Sequence, residues 1–277
     1  MKKIGFIDYY LDEWHANEYP AMIREQSGGR YEVCYAYGHI DSPIGGITNK
    51  EWAKKHGVEL LDSIEEVIEK SDVLVVLSPD NPEMHEELTD LPLKSGKLTY
   101  VDKTFAPDRE AAKRIFANAD ANGTACYSTS ALRFASELDT IDKAKIQKIY
   151  SEGPGTYEMY SIHQIEPIIK LMGCRVKRVM GLGDLSHPSL IIEFEDGRYA
   201  QLYQGEELDF CITVVDGENK ASKYPIESDF FGAFIANMLA FFDTGEIPVP
   251  HEQTVDVISV RETGIKALKT PYRWLDV

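Results

Sequence analysis

The stretch Asp72 to Ala106, DVLVVLSPDNPEMHEELTDLPLKSGKLTYVDKTFA, decides the fold. Asp72 precedes an unbroken apolar run, Val73 to Leu77, which suits a strand covered on both faces of a parallel sheet. Ser78-Pro79 ends the run. A helix is predicted from near Pro82 and stops before Gly96. Leu98 to Val101 reads as a second short strand, with Asp102-Lys103-Thr104 at its carboxyl end. Ligands of open α/β sheets bind outside the carboxyl ends of the strands. A lysine at that place is positioned for chemistry.

Outward from this stretch the first half keeps the same alternation. Lys3 to Asp8 reads as a buried strand and Ala16 to Glu25 as a helix closed by Ser27-Gly28-Gly29. Tyr31 to Tyr37 is a second strand. Lys50 to His56 is a helix with Asn49 as its N-cap and Gly57 at its end. Ser63-Ile64-Glu65-Glu66 has capping-box spacing and opens a helix to Lys70. Asp108 caps a helix through Asn122, Gly123 stops it, and Thr124 to Tyr127 is a strand. Such β-α-β alternation predicts a doubly wound parallel sheet flanked by helices.

The rhythm changes near Cys126. Ser161 to Met172 reads as a helix ending at Gly173. Strands follow at Arg175–Leu182, Leu190–Glu195, Arg198–Tyr203 and Leu208–Val215, with Asp196-Gly197 and Asp216-Gly217 as hairpin turns. Phe230 to Phe242 and Glu252 to Leu268 are helices; the run DFFGAFIANMLAFF reads as helical core packing. The expected organisation is a Rossmann-like nucleotide-binding domain at 1–125. An α+β domain with a mostly antiparallel open sheet, for substrate and oligomerisation, follows at 126–277.

Charge narrows the partners. The 277 residues carry 29 Lys+Arg against 46 Asp+Glu, a formal net charge of −17. That argues against nucleic acid or an acidic membrane surface as partner. Cys34, Cys126, Cys174 and Cys211 have no CxxC spacing and read as free thiols of a reducing compartment. The N-terminus lacks the apolar stretch of a signal peptide, and no run approaches a membrane span. A cytoplasmic protein is expected.

Several stretches together resemble the Gfo/Idh/MocA oxidoreductases, which include glucose-fructose oxidoreductase and inositol dehydrogenase. LVVLSPDNPEMHEEL is similar to that family's strand, Thr-Pro-Asn loop and following histidine. SGKLTYVDKTFA resembles its Gly-Lys-His-Val turn and strand leading to Glu-Lys-Pro, with Lys103 in the lysine position. ALRF resembles the Arg-Phe segment opening the second domain. GPGTYEMYSIHQIEPIIKLMG resembles its Gly-rich stretch and Asp-x-x-x-His segment, with His163 in the histidine position. The chain departs from the pattern at four places. Asp8, Tyr10 and Glu13 stand where the GxGxxG glycines would let a pyrophosphate approach. The second strand ends in Tyr37-Gly38-His39 without the acidic residue that holds an NAD ribose, Asp41 following three residues on. Met159 stands in the aspartate position, with Glu158 beside it. Asp102-Lys103-Thr104 replaces Glu-Lys-Pro.

The resemblance implies an NAD- or NADP-dependent oxidoreductase acting on a hydroxyl of a sugar, cyclitol or related polyol. Lys103 and His163 would handle the hydroxyl proton. Cofactor contacts are implied at Asp8, Tyr9, Tyr10, Ser78, Pro79, His85 and Asp102, and substrate contacts at Glu158, Tyr160 and Glu166. It also implies a homodimer or homotetramer paired through the second-domain sheet. Ile192, Phe194, Tyr199, Leu202, Phe210 and Ile212 span both side-chain parities there, so part of this set is expected outside the core. Each residue has a plainer alternative. Lys103 can be a solvent-facing lysine. His163, read as opening its helix, can be a capping or packed histidine, oriented by Glu166 if it is functional. Trp14 and His15 can pack on the sheet or shape a pocket lip, and Arg133 reads as a structural ion-pair partner. No HExxH-type spacing points to a metal. Two further readings stay open. One is a cofactor-free descendant that binds a sugar-like ligand or serves as a partner subunit. The other is a lyase or hydrolase reusing the Lys/His pair.

Overall fold

β1 (Lys2–Asp8) runs KKIGFID, and its last five residues are fully enclosed. That burial follows from its place in the sheet. The computed structural model describes residues 1–277. It divides the chain into two units, Met1–Thr129 with Gly232–His251, and Ser130–Phe231 with Glu252–Val277.

In the first unit β1 is followed by α1 (Trp14–Ser27), β2 (Tyr31–Gly38), α2 (Asn49–His56), β3 (Glu59–Leu60), α3 (Ile64–Lys70) and β4 (Val73–Val76). Then come α4 (His85–Lys94), β5 (Thr99–Val101), α5 (Arg109–Asn122) and β6 (Cys126–Tyr127). The six strands are all parallel, in the order β3-β2-β1-β4-β5-β6. This is the doubly wound order, and the direction of winding reverses between β1 and β4, the place where sheets of this kind bind ligands. The apolar run at β4 is 0–4% exposed from Val73 to Leu77, as its continuous hydrophobicity requires. Asp108 accepts the Ala111 amide at 2.8 Å and Gly123 ends α5 in the left-handed region, both at the predicted positions. The N-cap of α2 is a correction: it is Thr48, which forms a reciprocal capping box with Glu51. Asn49 instead spends its side chain on Leu11 N, Gly38 O and Ile40 O.

The second unit holds α6 (Ser136–Asp139), β7 (Ile146–Gly153), α7 (Tyr157–Met172), β8 (Val176–Gly183), β9 (Pro188–Phe194), β10 (Tyr199–Gln204), β11 (Cys211–Asp216) and β12 (Ala221–Pro225). The chain then runs through α8 (Phe230–Thr244), most of which belongs to the first unit, to α9 (His251–Lys269) and β13 (Trp274–Asp276). The seven strands are ordered β12-β11-β7-β10-β9-β8-β13. All pairings are antiparallel except β7 with β10. Register puts Ile149, Leu190, Ile192, Ala200, Leu202, Ile212 and Val214 on one face, and all are buried. Ile192, Phe194, Leu202 and Ile212 are therefore core residues. Of the six apolar residues considered above, Tyr199 lies on the opposite face. α7 and α9 pack closely: a Cβ on Gly264 would sit 1.9 Å from the Tyr157 hydroxyl, so only glycine fits there. That hydroxyl donates to Val260 O at 3.3 Å.

Candidate functional site

The turn after β1 is built from acids rather than glycines. Glu13 is the N-cap of α1, and its carboxylate accepts the amides of His15, at 2.7 Å, and of Ala16. These are the unpaired amides that a helix N-terminus offers to an anion. Asp12 secures the rest of the turn by accepting Ile47 N at 2.9 Å and Asn17 Nδ2 at 3.1 Å. Asp8 is 1% exposed, and neither carboxylate oxygen has a hydrogen-bond partner. Burial, and then the neighbouring Glu13 charge, push its pKa well above the usual range. Burial and the Asp102 charge likewise raise Glu13 to about 7, against the opposing pull of His15 and the two amides.

The end of β5 joins this cluster. His15 Nδ1 is hydrogen-bonded to Asp102 Oδ2, and Tyr100 donates its hydroxyl to Asp102 Oδ1 at 3.0 Å. The His15 ring stacks on Tyr19, centroids 5.0 Å apart and planes 7° apart. Burial would raise the Asp102 carboxyl, but His15, with Lys103 and His85 behind it, brings it below its ordinary value. Asp102 is thus a fully buried carboxylate. Lys103, next in the chain, is half-buried and forms no ion pair. The Lys103–Thr104 peptide is cis.

The remaining residues of the first unit take separate places. His85 is fully buried, its ring nitrogens 2.7 Å from Leu77 O and 3.0 Å from Phe105 O, which ties the end of β4 to the segment after β5. Ser78 has a left-handed backbone (φ 98°), and its hydroxyl donates to Asn81 O at 3.0 Å. Pro79 is buried beside it. Tyr9 stacks on His39 at 5.9 Å and meets Tyr10 edge-on at 6.0 Å. At the ends of β2 and β3 lies an open cavity of about 470 Å³, lined by Tyr37, His39, Asp41, Thr48, Lys50 and Asp62 among others. Asp41 accepts Asn49 N at 2.7 Å there.

In the second unit α7 begins at Tyr157, one turn before the predicted Ser161. His163 is therefore interior to the helix and does not face its positive end. Its Nδ1 lies 2.8 Å from Ser130 Oγ, and its ring meets those of Tyr160 at 5.7 Å and Phe210 at 5.9 Å. Glu166 is 2% exposed, and its carboxylate pairs with the Arg133 guanidinium at 3.0 Å, the ion pair read for Arg133. Tyr160 is 43% exposed. Glu158 is exposed, and its carbonyl accepts from Arg261.

Sequence reading missed two features. Glutamate is not among the favoured N-caps, so Glu13 gave no helix-start signal. The His15–Asp102 pair joins residues 87 apart, and no spacing announces it. A dinucleotide does not fit the first turn in the manner of a glycine-rich one. The amides that would hold its pyrophosphate are held by Glu13, and two buried acids stand beside them.

No protein-family model matches this sequence, and no characterised protein matches it by sequence. Solved structures do match in fold. A probable dehydrogenase from Thermotoga maritima aligns over 99% of this chain and 98% of its own, at 15% identity and a TM-score of 0.81. Apo scyllo-inositol dehydrogenase from Lactobacillus casei aligns over 99% and 98%, at 14% identity and 0.78. GenD2 from gentamicin A biosynthesis, solved in complex with NAD, aligns over 100% and 97%, at 12% identity and 0.76. At such identities the likeness is one of fold: a Rossmann-like α/β unit followed by a second sheet unit.

Proposed function

We propose that this chain is an enzyme acting on a hydroxyl of a sugar, cyclitol or related polyol, an oxidoreductase by class, with Lys103 and His163 handling the hydroxyl proton. The observation that carries the reading is Lys103, a half-buried ammonium without an ion-pair partner at the carboxyl end of a parallel strand. An amine at that edge is within the reach of a ligand bound outside the carboxyl ends of the strands, as a proton-transfer group requires. In the second unit Ser130 fixes one nitrogen of His163. The shared fold with dehydrogenases of known structure supports the class.

NAD or NADP is the acceptor this class calls for. With Glu13 on the helix amides, its affinity is expected at the weak, millimolar end of the scale. The test follows nucleotide reduction at millimolar NAD or NADP across a panel of inositols and hexoses. Polyol-dependent reduction that is lost in Lys103→Met supports the reading. Absence of reduction across the panel, with both nucleotides, contradicts it.

The Glu13 cap favours a second reading, a cofactor-free protein that binds a sugar-like ligand. Calorimetric binding of a polyol without nucleotide, with no redox turnover, would select it. Assembly belongs to the same proposal. Tyr150, Tyr199, Tyr203 and Trp274 lie on the sheet face opposite the core, half-buried or exposed. A second copy pairing there makes a dimer or tetramer, and light scattering showing a monomer at micromolar concentration would contradict it.

A further inference from the structure

We propose that His15, oriented by Asp102, is the base of a cofactor-independent acid–base site in the first unit, and that this site enolises an uncharged keto-polyol. Three observations carry the proposal. First, His15 is held in one orientation. Its Nδ1 is bonded to Asp102 Oδ2, its face lies on Tyr19, and Asp102 is itself fixed by the Tyr100 hydroxyl. A buried carboxylate at Nδ1 sets the tautomer and leaves the Nε2 lone pair as the basic position. Nε2 takes no hydrogen bond from the protein. Second, the pair stands where β1 and β5 reach the ligand-binding edge of a doubly wound sheet. Third, Lys103 follows Asp102 directly in the chain, at the carboxyl end of β5.

The choice of reaction follows from what the turn excludes. Taking a proton from a hydroxyl achieves nothing unless a hydride also leaves to an acceptor, and Glu13 holds the amides that would seat one. A proton taken from a carbon beside a carbonyl needs no acceptor. His15 Nε2 removes that proton, and the C–H electron pair becomes the C=C bond of an enediol. The carbonyl π pair moves to oxygen, which takes a proton from the Lys103 ammonium. The return of a proton to carbon and of the hydroxyl proton to Lys103 closes the cycle, so atoms and charge balance. Asp12 and Glu13 line the same turn and the chain carries a net charge of −17, which disfavours phosphorylated or acidic substrates. Asp102 acts through His15 as a positioning residue.

The inference shares the polyol substrate class and Lys103 with the proposed function, but not NAD or NADP. The experiment incubates the full chain without nucleotide in deuterium oxide. The probes are 2-keto-myo-inositol and 3-keto-glucose, with fructose 6-phosphate as the charged comparison. Proton NMR follows loss of the signal at the carbon beside the carbonyl. The wild type is expected to exchange at least one neutral ketone a hundredfold or more above buffer, and fructose 6-phosphate much more slowly. His15→Gln and Lys103→Met should each lower the rate at least tenfold with the fold intact by circular dichroism. Asp102→Asn should move the lone pair of His15 from Nε2 to Nδ1 in nitrogen-15 spectra and lower the exchange rate with it, whereas a merely structural pair would shift the spectrum and leave the rate unchanged. Should His15→Gln not fold, Lys103→Met and the wild-type nitrogen spectrum decide. No exchange of either neutral ketone by the wild type, or an unchanged rate in either variant, overturns the proposal. Exchange without nucleotide reduction would leave it standing and remove only the redox reading.

Discussion

The carboxyl ends of β1 and β5 lie on the same edge of one parallel sheet and finish in opposite chemistry. β1 runs into Asp8 and a turn whose Glu13 carboxylate occupies the amides of its own helix. β5 runs into Lys103, a cation with no ion pair, and the following helix is capped by an ordinary Asp108. A doubly wound sheet therefore does not need glycines after its first strand. The strand order and the burial of β1 are intact without them. Close approach to a pyrophosphate is a demand of the ligand, and where that demand is absent the chain can supply the anion itself. The two ends meet in the bond from His15 to Asp102.

The largest expected effect lies at the β1 end. Glu13 ionises near 7 in the folded chain against 4.5 in a model peptide. The folded state thus holds this proton more tightly than the unfolded chain does. Stability should be fully present below about pH 4.5 and fall as pH rises toward 7, by on the order of 3 kcal/mol from this group. Asp8 acts in the same direction. Glu13→Gln keeps a neutral acceptor for the helix and should flatten that part of the profile in urea melts between pH 4.5 and 7.5. A slope identical to wild type would break the comparison, because the acid would then not be buried as described.

The β5 end should affect turnover instead. Lys103→Met is expected to cut it roughly a hundredfold, about 2.7 kcal/mol of barrier, with the thermal midpoint little moved, since Lys103 is outside the apolar core. His163→Ala should cost a similar factor if both groups move protons for one substrate. A large loss of midpoint in Lys103→Met would make this end as structural as the other.

The smallest effect compares the two helix caps. Asp108→Ala should cost about 1 kcal/mol, an ordinary N-cap loss. Glu13→Ala removes a comparable cap but also relieves Asp8 and Asp102 of a buried neighbouring acid, so at pH 8 its cost should be smaller. Equal costs at pH 8 would mean that the acids around the β1 turn do not strain one another.

Much of this was legible in the chain. The stretch Asp72–Ala106 gave its strand, helix and strand, because a run buried on two faces has nothing to alternate with. Ser63, Asp108, Gly57 and Gly123 marked helix ends through local chemistry. What escaped notice lacked a local signal. Thr156 caps α7 without a side-chain bond, so the helix was read one turn short and His163 was assigned to its start. β7 pairs in parallel with β10, about fifty residues away, and no turn announces that pairing. β13 is three residues long. At the candidate site Lys103 was placed by its strand. The partner of His15 depends on the strand order, which brings β5 two places from β1. Helical spacing sets Glu166 one turn from His163, and nothing in that spacing announces the Arg133 ion pair it makes.

Titration calorimetry with NAD+, NADH, NADP+ and NADPH against the wild-type chain at pH 8, where Glu13 is ionised, tests the self-occupied turn most directly. The account predicts dissociation constants in the millimolar range or weaker for all four, because the helix amides are already taken by a carboxylate. Micromolar binding of any one of them would contradict it.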